Sequence, residues 1–320
     1  MVNNFSVIIP LFNGEAYIGR ALNSILGQTL QKFEIIVVDD HSTDQGAQVV
    51  MAYAENDSRV RLIQHDRNLG VSVARNRGIQ EASYQLIAFL DADDEWDPDY
   101  LEAIHELITN YPDCGAYTTS YRIRFDHDRV IDQSKRGAFG QGWTGKIDDL
   151  FQAITKTGGT PFHTDTIVVR KEVLERIGGF PVGMVRGQDV YTWIQVGMYD
   201  TVCFINSPKA TYYKGIPHQT TSVPEKSNMQ AWEKIRQLYD SGQVPEKYRR
   251  SFLEYSSATL LSAVRRLILL NRDGKQARIV LRKYGTPNRF QYFWLYFWSF
   301  FPKIFFYIVK LKEAIVNKKF

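Results

Sequence analysis

The sequence predicts an α/β protein, a mainly parallel sheet with helices on both faces, extended at its C-terminal end by helices. Three observations lead there. Strand and helix signals alternate through the first 120 residues, two of the strand signals end in aspartate clusters, and the last quarter of the chain is helical in pattern and basic. In order, FSVIIP (5–10) and FEIIVV (33–38) are short β-branched runs, and between them Ile18, Ala21, Leu22, Ile25 and Leu26 recur on one helical face. Ser42 reads as the N-cap of a second helix, VRLIQ (60–64) as a third strand, and a helix begins near Leu69. LIAFL (86–90) is a fourth strand, and a helix helped to start by Pro98 runs from about Asp97 to Asn110. Such a βαβαβαβ series places ligands beyond the carboxyl ends of the strands. From 121 to 160 the regularity weakens around the Gly-rich GAFGQGWTG, and a further unit follows in TDTIVVRKEVLERIGGF and RGQDVYTWIQVG. VPEKSN and SGQVPEK mark a boundary near 225–245, beyond which 246–284 reads as helices.

Composition narrows the class. The 320 residues are 44% hydrophobic and 23% charged, a globular balance that argues against disorder. The opening MVNNFSVIIPLF has no basic segment ahead of its short apolar run, so it reads as a first strand and not as a signal peptide, which predicts a cytosolic protein. Two cysteines, Cys114 and Cys203, form neither a C-x-x-C pair nor a framework; they are expected to be inert thiols in a reducing compartment, with no zinc site. Residues 245–320 hold 16 Lys and Arg against 4 Asp and Glu, so a basic tail follows a mildly acidic body. Such a tail suits an anionic partner, nucleic acid or anionic lipid.

The acids carry the chemistry. Asp39 and Asp40 end the second strand in VVDDHS, Asp91 and Asp93 end the fourth in LDADD, and in a parallel sheet those ends share one rim. Asp91-Ala92-Asp93 is a D-x-D whose hard oxygens suit Mg2+ or Mn2+, which would also take the oxygens of a diphosphate. The alternative is a solvated turn with helix-capping acids, and Asp94, Glu95 and Asp97 are expected to be no more than that. A response-regulator receiver domain also ends a strand with paired acids, but it does so at the first strand. It also needs an acceptor aspartate at the end of the third, where this chain has VRLIQH.

Four segments in order, SVIIPLFNGEAYIGRALNSILGQTL, FEIIVVDDHSTD, NLGVSVARNRGI and LIAFLDADD, closely resemble the N-terminal half of family 2 glycosyltransferases. These are inverting enzymes of GT-A fold that use nucleotide-sugar donors, and the resemblance runs over roughly residues 5–220. It implies that Pro10 and Asp40 contact the nucleobase, usually uracil, that Asn68, Gly70, Arg75 and Asn76 lie beside the nucleotide, and that Asp93 is the principal metal ligand with Asp91 near the ribose or metal. Gly70 at a helix N-terminus would let backbone approach a phosphate, and Arg75 would add a fixed cation. GGFPVGMVRGQDVYTW resembles the segment in which the family places its catalytic base, usually an acidic pair. Here the pair is Gln188-Asp189, so the base falls on Asp189 alone. His218 stands where many relatives close a His over the diphosphate, and His163 and Trp143 are weaker candidates for acceptor contact. The expected organisation is a catalytic domain over 1–225 (nucleotide-sugar half about 1–120, acceptor half about 121–225), a helical extension over 226–287 and a membrane-associating tail over 288–320.

That tail is the last expectation. Twelve of the eighteen residues from Phe290 to Tyr307 are aromatic, and 290–302 carries no charge, unlike a nucleic-acid surface with basic residues among its rings. Aromatics followed by Lys303, Lys310, Lys312, Lys318 and Lys319 suit a membrane interface, and the uncharged run is too short to span. An in-plane anchor is therefore expected, with a hairpin packed on protein as the alternative, and residues 288–320 are expected to be removable without loss of activity on a short acceptor. The whole reading is an inner-face peripheral membrane enzyme, of unspecified oligomeric state, moving one sugar from a UDP-sugar to a lipid-linked saccharide. The competing reading is a non-catalytic nucleotide-sugar or carbohydrate-binding module.

Overall fold

The structure, a computed structural model, describes residues 3–125, 129–184, 186–215, 228–269, 273–284 and 289–317. It divides into two compact units, residues 1–222 and 223–320.

The first unit opens with β1 (Phe5–Leu11), α1 (Ile18–Leu26), β2 (Phe33–Asp39), α2 (Gly46–Asn56), β3 (Val60–Gln64), α3 (Val71–Glu81) and β4 (Leu86–Phe89). It continues with β5 (Glu95–Trp96), α4 (Tyr100–Asn110), β6 (Ala116–Phe125), β7 (Arg129–Asp132), β8 (Thr144–Ile147) and α5 (Leu150–Thr157), then β9 (Ile167–Arg170), α6 (Lys171–Arg176), α7 (Gln188–Tyr199) and β10 (Val202–Lys214). The strands form one sheet in the order β3-β2-β1-β4-β9-β6-β10-β5, with β7 on β6 and β8 on β10. β3, β2, β1 and β4 run parallel, as the alternating signals imply. β9 enters between β4 and β6 antiparallel to both, and β10 returns parallel to β6. The reversal has a simple cause: the chain reaches β9 through a tight turn at Thr164–Thr166, beside the carboxyl end of β4, and can only run back down the sheet.

Burial explains the strand runs. β1, β2 and β4 have helices on both sides, so Val7, Ile8, Ile9, Ile35, Ile36 and Val37 are all inaccessible regardless of which face they take. α1 buries Ile18, Ala21, Leu22 and Ile25, the predicted face. Two helix starts differ from expectation. α2 begins at Gly46, because Ser42 is used elsewhere: its N–H donates to Asp39 Oδ1 and its Oγ accepts from Asn13 N–H. α4 begins at Tyr100, since Asp97 is held outside the helix by a two-armed ion pair with Arg122 at 2.8 Å. The cysteines also differ: Cys114, just ahead of β6, and Cys203, on β10, are joined in a disulfide, because the pairing of β6 with β10 closes the 89-residue separation.

The second unit contains α8 (Asn228–Asp240), α9 (Arg249–Leu269), α10 (Gly274–Tyr284), α11 (Arg289–Trp298) and α12 (Pro302–Asn317). Its core joins Trp232 of α8, Leu260, Val264 and Ile268 of α9, Ala277 and Leu281 of α10, Leu295 of α11 and Phe305 of α12. Trp232 Nε1 donates to Ser256 O at 2.8 Å, which satisfies its buried polar atom. The turn between α11 and α12 lies against the start of α10, where Arg278 donates to Ser299 O at 2.7 Å. The aromatic segment thus packs in part on its own unit, through Leu295 and Phe305 and the partly buried Tyr292, Tyr296 and Trp298, contrary to a detachable tail.

Candidate active site

The acid pairs meet at one rim, as the topology requires, but they do different work. Asp39 is buried and braces its own turn, accepting from Ser42 N–H at 3.0 Å and Gln64 Nε2 at 3.2 Å. Asp40, also buried, holds the loop ahead of α3: Oδ1 accepts from Leu69 N–H and pairs with His65 Nδ1, both at 2.8 Å, and Oδ2 accepts from Gly70 N–H at 2.7 Å. Gly70 caps α3 with φ +91°, a conformation that side-chain-bearing residues avoid, and nothing lies within 4 Å of where a Cβ would stand. Asn68 is exposed in the same loop, and Pro10 sits half-buried near the end of β1 opposite Val38.

Beneath the D-x-D lies a network that the sequence reading missed. Asp165, 1% exposed, accepts from Asp91 N–H through Oδ1 at 2.8 Å, pairs with His163 Nδ1 through Oδ2 at 2.5 Å, and offers its backbone carbonyl to Trp96 Nε1 at 2.6 Å. Asp94 is fully buried and accepts from Tyr213 N–H at 2.8 Å. Burial and the neighbouring carboxylates of Asp165 and Asp93 push Asp94 well above the usual carboxylate range. Its second oxygen has no hydrogen-bond partner among the described residues, and the charge of Asp165 beside it favours the protonated form. Burial would raise Asp165 too, but the charge and hydrogen bond of His163 outweigh it and hold Asp165 low. His163 in turn loses from burial, yet Asp165, with Asp91 and Asp189 further off, raises it to about 9. Its ring stacks on Tyr212 at 4.6 Å and neighbours Tyr121 at 5.4 Å. Asp94 and Asp97 are therefore not capping acids. The sequence signal for Asp165 was present in TDTIVV, an acid directly ahead of a buried strand, but it reads equally as a strand's polar start.

Arg75 links this network to the acceptor-side acid. It is 3% exposed, lies 5.1 Å from the Phe180 ring centroid, and pairs with Asp91 Oδ1 at 2.5 Å. Burial opposes its charge, while Asp91 and then Asp189 favour it, so Arg75 stays a cation. Its Nε and second terminal nitrogen have no hydrogen-bond partner among the described residues. Asp91 is raised by burial, an effect Arg75 partly offsets. Asp189 stands in the first turn of α7, half-buried, with Oδ1 on Val190 N–H, while Gln188 Oε1 is buried without a partner among the described residues. Asn76 turns its side chain to the chain itself. Its amide is spent on Phe180, donating to the carbonyl at 2.9 Å and accepting from the N–H at 2.8 Å, so it fixes the Gly178–Phe180 turn. Trp143 stacks on Phe139 at 4.4 Å, and His218 lies outside the described residues.

The acids fit a divalent cation. Asp91, Asp93, Asp94 and Asp165 act together to raise the Tyr212 phenol further above its burial-raised value, a concentration of negative charge that a hard cation would relieve. Asp93 and Asp91 bring the hard oxygens. Asp94, His163 and Asp165 also lie within 4.8 Å of one another. His163 and Asp165 are paired with each other, while Asp94 Oδ2 has no hydrogen-bond partner among the described residues, so this cluster is a second place where a cation could sit.

Comparison with known proteins agrees with this geometry. The model of the family described as glycosyl transferase family 2 matches residues 6–178, more than half of the chain. A relative from Bacillus subtilis (strain 168), the putative teichuronic acid biosynthesis glycosyltransferase TuaG, is 34% identical over 128 residues, 40% of this chain and 50% of that protein. The chain spans about half the length, or less, of curated relatives such as this one. Among solved structures, TarS residues 1–349 of S. aureus matches with TM-score 0.65 at 18% identity, over 92% of this chain and 89% of that one, and has also been solved with UDP-GlcNAc. The mannosyltransferase PcManGT of Pyrobaculum calidifontis, in complex with GDP-Man and Mn2+, matches with TM-score 0.60 at 19% identity, over 96% and 87% of the two chains. These two likenesses establish the GT-A fold, and with the family match over its nucleotide half and the acids gathered at its rim, the chain belongs to glycosyltransferase family 2.

Proposed function

We propose that this glycosyltransferase moves one sugar, with inversion, from a UDP-sugar to a hydroxyl of a lipid-linked saccharide, working at the inner face of a bacterial membrane. The observation that carries the site reading is Arg75, a buried cation favoured at once by Asp91 at the end of β4 and by Asp189 at the start of α7. The guanidinium pairs with the donor-side acid and lies within electrostatic reach of the acceptor-side one. The acceptor oxygen attacks the anomeric carbon, its proton passes to Asp189, and the bond from that carbon to the diphosphate oxygen breaks. Arg75, with two nitrogens unpaired among the described residues, would stabilise diphosphate oxygens as they gain charge. Held by Asp93 and Asp91, Mg2+ or Mn2+ would supply the remaining charge compensation for the departing nucleoside diphosphate. Pro10 and the loop from Asp40 to Gly70 fit the nucleobase and ribose end. The TarS complex with UDP-GlcNAc supports a uridine donor, and the TuaG relationship supports a surface-polysaccharide acceptor.

The test is kinetic. Asp189→Asn should leave donor affinity within about two-fold of wild type and cut kcat by about 10² or more, because only the proton acceptor is lost. Collapse of donor affinity, or an unchanged kcat, would make Asp189 structural. Asp93→Ala should abolish the stimulation of turnover by Mn2+ or Mg2+, and full activity of wild type in EDTA would remove the metal from the reading.

A further inference from the structure

The second unit exposes an apolar face that its own fold leaves uncovered. On α11, Leu295 and Ser299 face the core while Phe290, Phe293, Trp294 and Phe297 face outward, and Phe293 and Phe297 are 66% and 55% exposed. The chain bends by 111° at Ser299–Phe301, and on α12 the pattern repeats: Phe305 is buried, while Ile304 and Tyr307 are 53% and 69% exposed. Among the described residues no single helix is long and apolar enough to cross a membrane. The outward rings are fixed, because Leu295 and Phe305 belong to the unit's core and Arg278 ties down the turn between the helices. A contiguous row of exposed aromatics on rigid helices marks a surface that is covered in use.

Charge selects the cover. Residues 274–312 contain eight Lys and Arg and no Asp or Glu. The cations border the rings directly, with the Arg278 guanidinium 4.3 Å from the Phe300 centroid and Arg282 hydrogen-bonded to Tyr296 Oη. A second copy of this chain, docking by a twofold axis, would bring two such basic rims together. Anionic headgroups attract the rim while the hydrocarbon boundary takes the rings.

We propose that the outward face of α11 and α12 is a monotopic membrane dock, a bent aromatic wedge that sinks about 5–10 Å into an anionic leaflet as a fixed part of the second unit. It rests on the membrane-surface reading given above and makes it specific: the wedge is part of a folded domain, and Leu295 and Phe305 take no part in lipid contact.

Cosedimentation of the full chain with vesicles of phosphatidylcholine, alone or with phosphatidylglycerol, tests this without sugar transfer as a readout, so a failure of the catalytic reading would leave the result intact. The triple substitution Phe293→Ser, Phe297→Ser, Tyr307→Ser should weaken partitioning about ten-fold or more on both vesicle types, with an unchanged melting temperature, since all three rings face solvent. Lys275→Gln with Lys303→Gln should weaken binding only to phosphatidylglycerol vesicles, and less so at high salt. A wild-type chain that ignores both vesicles, or a triple variant that still binds them, overturns the proposal. A triple variant that melts lower, or that converts a wild-type dimer to monomer, overturns it too and assigns the face to protein packing.

Discussion

At the scale of the residue, the acids reward a distinction between those proposed to meet substrate and those that hold them in place. Asp165 is of the second kind, and its partner makes it measurable. His163 titrates near 9 in the folded chain against an ordinary 6.5, so its stabilising contribution is fully present below about pH 6.5 and is lost as pH rises through 9. That amounts to about 3 kcal/mol at most. Asp165→Asn keeps an acceptor for Asp91 N–H but removes the charge opposite His163. Urea unfolding should show wild-type stability falling between pH 6 and 9.5, and a variant that is less stable at pH 6 by about 3 kcal/mol and flat across that interval. Equal slopes would show that the pair is not ionic. The positions of the D-x-D at a strand end and of Asp189 at a helix start were legible from resemblance and strand ends. Asp165, Asp94 and the true partner of Asn76 were not, because each depends on a contact across 70 or more residues that no local pattern encodes.

At the scale of the element, β1 to β4 and the helices between them follow directly from β-branched runs and one-faced apolar spacing. The short strand β5 and the direction of β9 do not, since a four-residue buried strand reads the same either way and its neighbours decide. Close approach is equally invisible in sequence. A Cβ on Gly274, at the start of α10, would stand 1.7 Å from Ser299 O, a backbone atom that cannot swing aside. Gly274→Ala should therefore destabilise the second unit by about 1–3 kcal/mol despite the better helix propensity of alanine, read as a lowered melting transition. A rise in melting temperature would mean that the turn after α11 can move away freely.

For the whole molecule, the tail is where composition spoke of apolar surface and was silent about architecture. Twelve aromatics in eighteen residues say that something apolar must be met, but not that Leu295 and Phe305 meet the chain's own core while Phe293 and Tyr307 do not. Deleting residues 288–320 should consequently expose Leu260, Val264 and Leu281 and give an aggregated or low-melting product, not the well-behaved fragment that a detachable anchor would leave. A monodisperse fragment with wild-type melting would restore the detachable tail. The hydrogen bond from Asp91 N–H to Asp165 has a consequence of another order, in time. A ribosome delivers the D-x-D long before residue 165 and the strand β9 that separates β4 from β6, and chains fold as their segments emerge. Until residue 165 has emerged, Asp91 N–H lacks the acceptor that holds it in the folded chain, so the order of synthesis makes the placing of this acid a late event.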